Sequence, residues 1–177
     1  LKLDFIDEFD ISKGTRCEYG NGRDFQSVEE ATFELIKNIT QRLKRINPDI
    51  LIEYRQNYVG PLVRTSGNML RSADCPTGAL INRKQILGLR LLSGNSAVHS
   101  DMIIWDNTDT LANKAQQLIA ILFSVPQISV MLDVISAEEE SLLRFWLGFW
   151  LEHRDVFMDG ALRPQNPHAQ YSHVYSQ

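Results

Sequence analysis

Acidic side chains and a histidine stand where short apolar runs of this sequence end. These residues are Asp4, Glu53, Asp74 and the pair His99 and Asp101. Carboxylates and imidazoles are the side chains that most often donate or accept protons during catalysis. If the apolar runs are strands of one parallel sheet, these side chains meet at its carboxyl edge, where they can act together on one substrate.

Other kinds of site have little support in the sequence. The four histidines do not approach a metal-binding spacing such as HExxH, and Cys17 and Cys75 make neither a disulfide framework nor a zinc site. No GxGxxG or P-loop spacing follows an apolar run. We therefore expect no metal and no organic cofactor, because two carboxylates suffice for acid–base chemistry.

Charge and hydropathy indicate which partners to exclude. The formal net charge of -4 gives no electrostatic reason to bind nucleic acid or an anionic membrane surface. The most apolar stretch, residues 142–151, contains Arg144 and Gly148 and is shorter than the roughly 20 residues that a membrane span needs. We expect neither nucleic acid nor membrane as a partner. No targeting segment is visible, which leaves the compartment open with the cytoplasm favoured.

Strands and helices must alternate to position these residues. Two capping boxes, Ser27 with Glu30 and Ser136 with Glu139, predict helix starts, and Gly160 predicts a helix end. Helical periodicity covers residues 28–46, 76–91, 110–123 and 136–157, and strand-like runs cover 1–6, 50–53, 67–72, 97–104 and 128–132.

Nearly continuous apolar strands that alternate with helices are typical of a parallel sheet covered by helices. An open doubly wound sheet and a closed barrel both fit the pattern, and the polar residues at the strand ends favour the barrel. The sequence therefore predicts an α/β fold, the C-terminal half of a (β/α)8 TIM barrel with strands 4–8. We expect residues 1–160 to form this partial catalytic barrel and residues 161–177 to begin a C-terminal β segment. The start without Met suggests a piece of a longer protein.

Several segments resemble glycoside hydrolase family 36, the α-galactosidase-like enzymes. Residues 2–5, Lys-Leu-Asp-Phe, resemble the strand that presents the nucleophile, and residues 51–54 resemble the strand that follows it. Residues 71–76 resemble the acid/base segment, with the Asn and Arg of 82–83 in the helix behind it, and residues 97–101 resemble a later strand. The likeness covers essentially the whole chain and lies in the order and spacing of these segments. The chain departs from the family at residues 55–61, which replace a Cys-Ser-Gly-Gly loop.

The resemblance implies a retaining glycosidase that removes terminal α-linked galactosyl residues from oligosaccharides. Asp4 would be the nucleophile and Asp74 the acid/base, with carboxyl groups about 5–5.5 Å apart. The missing N-terminal half of the barrel, or a second copy of the chain, would complete the domain. The substrate-binding residues that we expect are Lys2, Glu53, Arg55, Arg71 and His99.

Structural interpretations compete with these roles. Asp4 could be an ordinary acid at a strand end, and Asp74 could be a helix N-cap. Glu53 could orient Arg55, and His99 could be a hydrogen-bonded core histidine. Trp105 could stack on sugar or pack at the rim, whereas we expect the aromatic residues of 145–150 to pack against the barrel.

Other function classes also remain open at this point. A glycosyltransferase would use the same two carboxylates with a sugar as acceptor in place of water. An inactive half barrel that only binds carbohydrate would show self-association or instability, because it exposes two strand edges. An unrelated open-sheet α/β binding protein would direct Asp4 and Asp74 to different sites.

Overall fold

The computed structural model describes residues 20, 22, 24–55, 59–73, 78–94 and 96–177. Lys2, Asp4 and Asp74 lie outside these residues, as does the side chain of Arg55, so their roles stay predictions. Over the described part the chain is a mixed α/β structure that contains a parallel sheet. None of the helices described there combines the length and the apolar composition of a segment that crosses a membrane.

The described elements alternate in the predicted manner up to the last helices. In chain order they are α1 (Val28–Ile46), β1 (Glu53–Arg55), α2 (Pro61–Arg64), β2 (Met69–Arg71), α3 (Ala79–Ser93), β3 (Ala97–His99), α4 (Leu111–Ala120), α5 (Ala137–Glu152), α6 (Arg154–Asp159), β4 (Arg163–Gln165), a 3-10 turn (Pro167–Ala169) and β5 (His173–Tyr175).

Three strands form a parallel sheet in the order β1-β2-β3. Tyr54 pairs with Leu70, and Leu70 pairs with Val98, so the strands run in register. The side chain of Asn68 extends the pairing before β1, since its Oδ1 accepts from the Ile52 N–H and its Nδ2 donates to the Ile50 carbonyl. A parallel sheet with α3 as the crossover from β2 to β3 is compatible with part of a barrel domain.

The prediction of a strand at residues 128–132 is wrong, because no regular strand forms there. The chain pairs beside β3 at residues 125–129 instead, through isolated parallel bridges of His99 with Val125 and of Ile103 with Ile128. The Val125 N–H donates to the Val98 carbonyl at 2.8 Å. The next donor towards β3, the Gln127 N–H, bonds the Ser100 hydroxyl at 2.8 Å and not a backbone carbonyl, so the pairing does not continue as a regular ladder.

The core lies between the sheet and the helices that cover it. Leu70 and Val98 point from the sheet to this side, where Ile86 and Leu89 of α3 and Leu118 of α4 meet them. All five are at most 2% exposed. Truncating such a residue to alanine typically costs about 2–5 kcal/mol, because removed contacts and a cavity add together. The sheet is therefore apolar on one face and free to carry polar groups on the other.

Helix α1 and the start of α5 confirm the predicted caps. The Ser27 hydroxyl accepts from the Glu30 N–H, while the Glu30 carboxylate accepts from Gln26. Ser136 and Glu139 form a complete capping box. Helix α3 begins later than predicted, at Ala79, and its N-cap is Gly78. The interpretation of Asp74 as the N-cap of this helix is therefore wrong.

The prediction of one continuous helix over residues 136–157 is wrong, because this stretch forms two helices. His153, at φ -111°, ends α5 and caps α6. Gly160 is the C-cap of α6 but has φ -67°, so a left-handed cap is not the reason for glycine. A Cβ at Gly160 would meet Ser176 Oγ and the Val156 carbonyl, where the C-terminal residues pass close by. Strands β4 and β5 pair antiparallel in this last segment.

Candidate functional site

The polar face of the sheet carries three of the residues that the sequence singled out. Side chains alternate along a strand, so Glu53, Arg71 and His99 share the face opposite Leu70 and Val98. Arg71 and His99 are the last residues of β2 and β3 and lie side by side in register. Arg71 and His99 therefore stand at the carboxyl ends of their strands, as the sequence predicted for His99. Glu53 is instead the first residue of β1, so the prediction that it ends a strand is wrong.

Glu53 lies between the two basic side chains. Its Oε1 is 3.6 Å from Arg71 Nε, and its Oε2 is 3.6 Å from His99 Nδ1. Both separations exceed ordinary hydrogen-bond lengths, so the contacts are electrostatic and loosely held. The three side chains are 36%, 17% and 22% exposed for Glu53, Arg71 and His99. They form a partly open group of charged and polar atoms, which we call the strand-end cluster.

The environment of His99 favours the neutral imidazole. Burial lowers the pKa of His99 below its ordinary value of about 6.5. The Glu53 carboxylate opposes this shift, and the Arg71 guanidinium adds to it. Because a neutral imidazole has one donor and one acceptor nitrogen, the cluster presents a cationic donor, an anionic acceptor and a group that is both. That set matches sugar hydroxyls, which donate and accept.

Both members of the predicted catalytic pair lie outside the described residues. Asp74 follows Arg71 by three positions and is therefore expected just beyond the carboxyl end of β2. Asp4 and Lys2 precede every described residue. The alternative role of Glu53 was to orient Arg55. In the structure its carboxylate faces Arg71 and His99.

Two buried polar groups on the helix side were missed by sequence reasoning. Asn82 and Lys114 are each 3% exposed and lie on the apolar faces of α3 and α4. Lys114 Nζ contacts Glu139 Oε1 of α5 at 2.5 Å and lies 5.8 Å from the Trp105 ring centroid. A signal was present, because Asn82 precedes Ile86 and Lys114 precedes Leu118 at helical spacing.

A cleft of about 390 Å³ opens beside the Lys114–Glu139 pair. Its walls come from the loops that precede α4 and α5, including Asn107 and Asp109. Hydrogen bonding to Lys114 lowers the pKa of Glu139, and the Ser136 N–H bonds the same carboxylate. No residue of the strand-end cluster lines this cleft.

The aromatic residues play mostly structural parts. Trp105 packs against the core cluster, and Trp150 is buried with its Nε1 donating to the Leu122 carbonyl. Trp146 and Phe149 stack edge to face at 5.9 Å. Phe145 is 63% exposed, so the expectation that it packs inward is wrong. Over the part of the chain that the structure describes, no three His, Cys, Asp or Glu side chains are placed to hold a metal ion.

Comparison with known proteins agrees with this architecture. No family model matches the chain, and no curated protein matches its sequence. Among solved structures, the GH36 α-galactosidase AgaB from Geobacillus stearothermophilus superposes with a TM-score of 0.68 at 14% identity, covering 86% of this chain and 22% of that one. The galactosidase domain of the α-galactosidase-sucrose kinase AgaSK superposes with a TM-score of 0.58 at 14% identity, covering 74% and 19%. The chain spans about a fifth of the length of each.

Proposed function

With a glycoside hydrolase-like fold as the premise, we propose that this chain is part of the catalytic domain of a retaining, α-galactosidase-like glycosidase. It would form the C-terminal half of a (β/α)8 barrel and cleave terminal α-linked galactosyl residues. The observation that carries the proposal is the strand-end cluster. Two of its three polar side chains, those of Arg71 and His99, lie at the carboxyl ends of parallel strands, the position of active sites in barrel enzymes, and Glu53 lies beside them.

The proposed chemistry is a double displacement by Asp4 and Asp74. The Asp4 carboxylate attacks the anomeric carbon while Asp74 gives its proton to the leaving oxygen, which forms a glycosyl ester and frees the aglycone. Asp74, now ionised, takes a proton from water as that water attacks the same carbon and releases Asp4. Two inversions leave the configuration unchanged, and both side chains return to their first state. The ammonium of Lys2, which shares the parity of Asp4 in the predicted strand, would keep Asp4 ionised.

The strand-end cluster would bind the sugar and not attack it. Arg71 would donate to a hydroxyl oxygen, Glu53 would accept a hydroxyl proton, and neutral His99 would do either. Arg55 pairs with Arg71 in the strand register and would add a second cationic donor if its side chain faces the same pocket. Ordered hydroxyl contacts of this kind orient the anomeric carbon between nucleophile and acid, which is where much of the rate gain arises.

The partner that we propose for this chain is the remaining half of the barrel. The three parallel strands and one irregular segment found among the described residues do not close a barrel, which needs eight. Exposed apolar side chains also follow the irregular segment, with Met131, Leu132 and Val134 each more than half exposed. An N-terminal half of a longer chain, or a second copy, would cover them. A glycosyltransferase reaction would use the same site with a sugar acceptor.

The experiment that tests the proposal is hydrolysis of an aryl α-galactoside by the intact protein and by its Asp4→Asn variant. We expect loss of at least about 10³-fold in kcat, because the amide cannot form the ester intermediate. The matched control is Asp10→Asn, a nearby acid outside the proposed site. Proton NMR of the first product should show the α-anomer. Normal turnover by Asp4→Asn, or a β-anomer, would refute the assignment.

An inactive half barrel is the second candidate, favoured by those same exposed apolar side chains. It predicts that the 177-residue chain alone self-associates and hydrolyses no galactoside. Light scattering after size-exclusion chromatography separates the two cases. A monodisperse monomer that turns over substrate would exclude the inactive candidate.

A further inference from the structure

Asn82 joins three parts of the structure from the buried face of α3. Its Oδ1 accepts from the Ser72 hydroxyl at 3.0 Å and from the Asp101 N–H at 3.1 Å. Its Nδ2 lies 3.4 Å from the Asp101 carbonyl, to which it donates. Asn82 is 3% exposed, and Ser72 and Asp101 are 0% exposed. One amide thus connects the residue after β2 with the segment after β3.

The same residue also holds the other end of the acid/base segment. The Asn82 N–H donates to the Gly78 carbonyl at 3.0 Å, at the start of α3. Ala73 and Gly78 are the described residues that bracket 74–77, the stretch containing Asp74, and Ser72 directly precedes Ala73. Ser72 is fixed a second time, because its N–H donates to the His99 carbonyl at 3.1 Å. Both sides of this segment are therefore hydrogen-bonded to Asn82. Ser72 bonds its side chain, and Gly78 bonds its backbone N–H.

From this geometry we infer that Asn82 is a positioning residue that sets where Asp74 presents its proton. The inference rests on the proposed function, which makes Asp74 the acid/base. An asparagine suits the place because its oxygen accepts two hydrogen bonds while its nitrogen donates one, without a net charge. An aliphatic side chain would leave the Ser72 hydroxyl and the Asp101 N–H without this acceptor in a dry environment, which favours a shift of the loop.

The first test compares aryl α-galactosides whose leaving phenols differ in acidity. Departure of a weakly acidic phenol needs protonation by Asp74, whereas a strongly acidic dinitrophenol departs as its anion. For Asn82→Ala in the intact protein we expect kcat/KM to fall about 10–100-fold with the first substrate and by less than about threefold with the second. The value kcat/KM is used because it reports the step in which the leaving group departs.

A matched variant separates positioning from a general structural effect. Ile86 lies one turn along the same helix and is 1% exposed, so Ile86→Val perturbs the core without removing a hydrogen bond to Ser72 or Asp101. We expect it to change kcat/KM equally for both substrates. Ser72→Ala should reproduce part of the split, and its effect should not add to that of Asn82→Ala, because the two residues share one hydrogen bond.

The second test is independent of activity. Amide hydrogen exchange should accelerate at Asp101 and at Ser72, Ala73 and Gly78 in Asn82→Ala, by about threefold to tenfold, and stay near the wild-type rate in Ile86→Val. Unchanged exchange there would overturn the inference whether or not the protein is active. A wild type that hydrolyses no galactoside would defeat the proposed function. The hydrogen-exchange measurement would then decide whether Asn82 holds this segment in place. An active wild type whose Asn82→Ala variant loses both substrates equally would overturn the inference alone.

Discussion

Two groups of polar side chains that join separate elements, the strand-end cluster and the Lys114–Glu139 pair, differ in how closely their members contact one another. On the open face of the sheet, Glu53 lies 3.6 Å from both Arg71 and His99. On the helix side, Lys114 and Glu139 meet at 2.5 Å with side chains only 4% and 8% exposed. The buried pair is therefore held closely and is largely enclosed, while the strand-end cluster is more accessible to a ligand.

Arg90 belongs with the buried group and shows the same principle. Its guanidinium is 7% exposed and donates to the carbonyls of Phe123, Phe157 and Met158 at 2.8–2.9 Å. Burial lowers the pKa of Arg90, and Asp159 opposes that shift. A cation surrounded by carbonyls at short distance connects α3 to the end of α6 and leaves no room for a substrate. Short and enclosed contacts thus mark structural residues here, and long, accessible ones mark the candidate site.

The largest effect on stability is expected from Lys114→Ala. It leaves the enclosed Glu139 carboxylate without its cation, so we expect the melting temperature to fall on the order of 10 °C. Differential scanning calorimetry measures this. The control is Lys37→Ala, since Lys37 pairs with Glu34 on the surface of α1 at 2.8 Å and should shift the transition little. Equal shifts in melting temperature for the two variants would contradict the distinction between an enclosed structural pair and a surface pair.

Arg71→Gln should have the converse profile. Its contact with Glu53 spans 3.6 Å, beyond ordinary hydrogen-bond length, so loss of this contact should change the free energy of unfolding by less than about 1 kcal/mol. Loss of a donor to the sugar should lower kcat/KM about 10–100-fold. Arg144→Gln, which removes a surface pair with Glu140 on α5, is the matched control and should leave kcat/KM unchanged. A large fall in stability with kcat/KM preserved would place Arg71 among the structural residues.

The smallest effect concerns His99 and pH. Because burial lowers the pKa of His99 in the folded protein, the unfolded chain binds a proton there more readily. The stability from this group is complete above about pH 6.5 and is lost as pH falls from there through the folded pKa. His99→Asn should therefore flatten the decline in urea midpoint between about pH 6.5 and 5, whereas replacing exposed His173 should not. An unchanged slope in His99→Asn would show that the environment of His99 does not perturb it.

Local signals predicted the elements well where one residue type determines the geometry. Ser27 and Ser136 marked helix starts because a hydroxyl satisfies an exposed N–H, whatever the tertiary structure. The alternation of apolar runs predicted the parallel sheet, and parallel strands bring their carboxyl ends together. That pattern predicted His99 at the carboxyl end of a strand. Its register partner Arg71 was expected in the site only from the family resemblance, and Glu53 begins β1 and does not end a strand.

Other features depend on information that periodicity does not contain. Phe149, His153 and Phe157 keep a spacing of four across the break between α5 and α6, so the pattern continues where the helix does not. The shift of the fourth paired segment to residues 125–129 depends on which carbonyls of β3 are available to it. The burial of Asn82 and Lys114 depends on partners 10 to 25 positions away. The catalytic roles of Asp4 and Asp74 remain predictions for the same reason.

The most direct measurement is the separation of the Asp4 and Asp74 carboxyl groups in a crystal structure of the intact protein with a bound galactoside analogue. The account predicts about 5–5.5 Å, with both groups facing the sugar beside Arg71 and His99. A separation of roughly 6.5–9.5 Å would instead indicate an inverting enzyme. A larger distance, or carboxylates that face different pockets, would contradict the proposal that these two residues form one catalytic site.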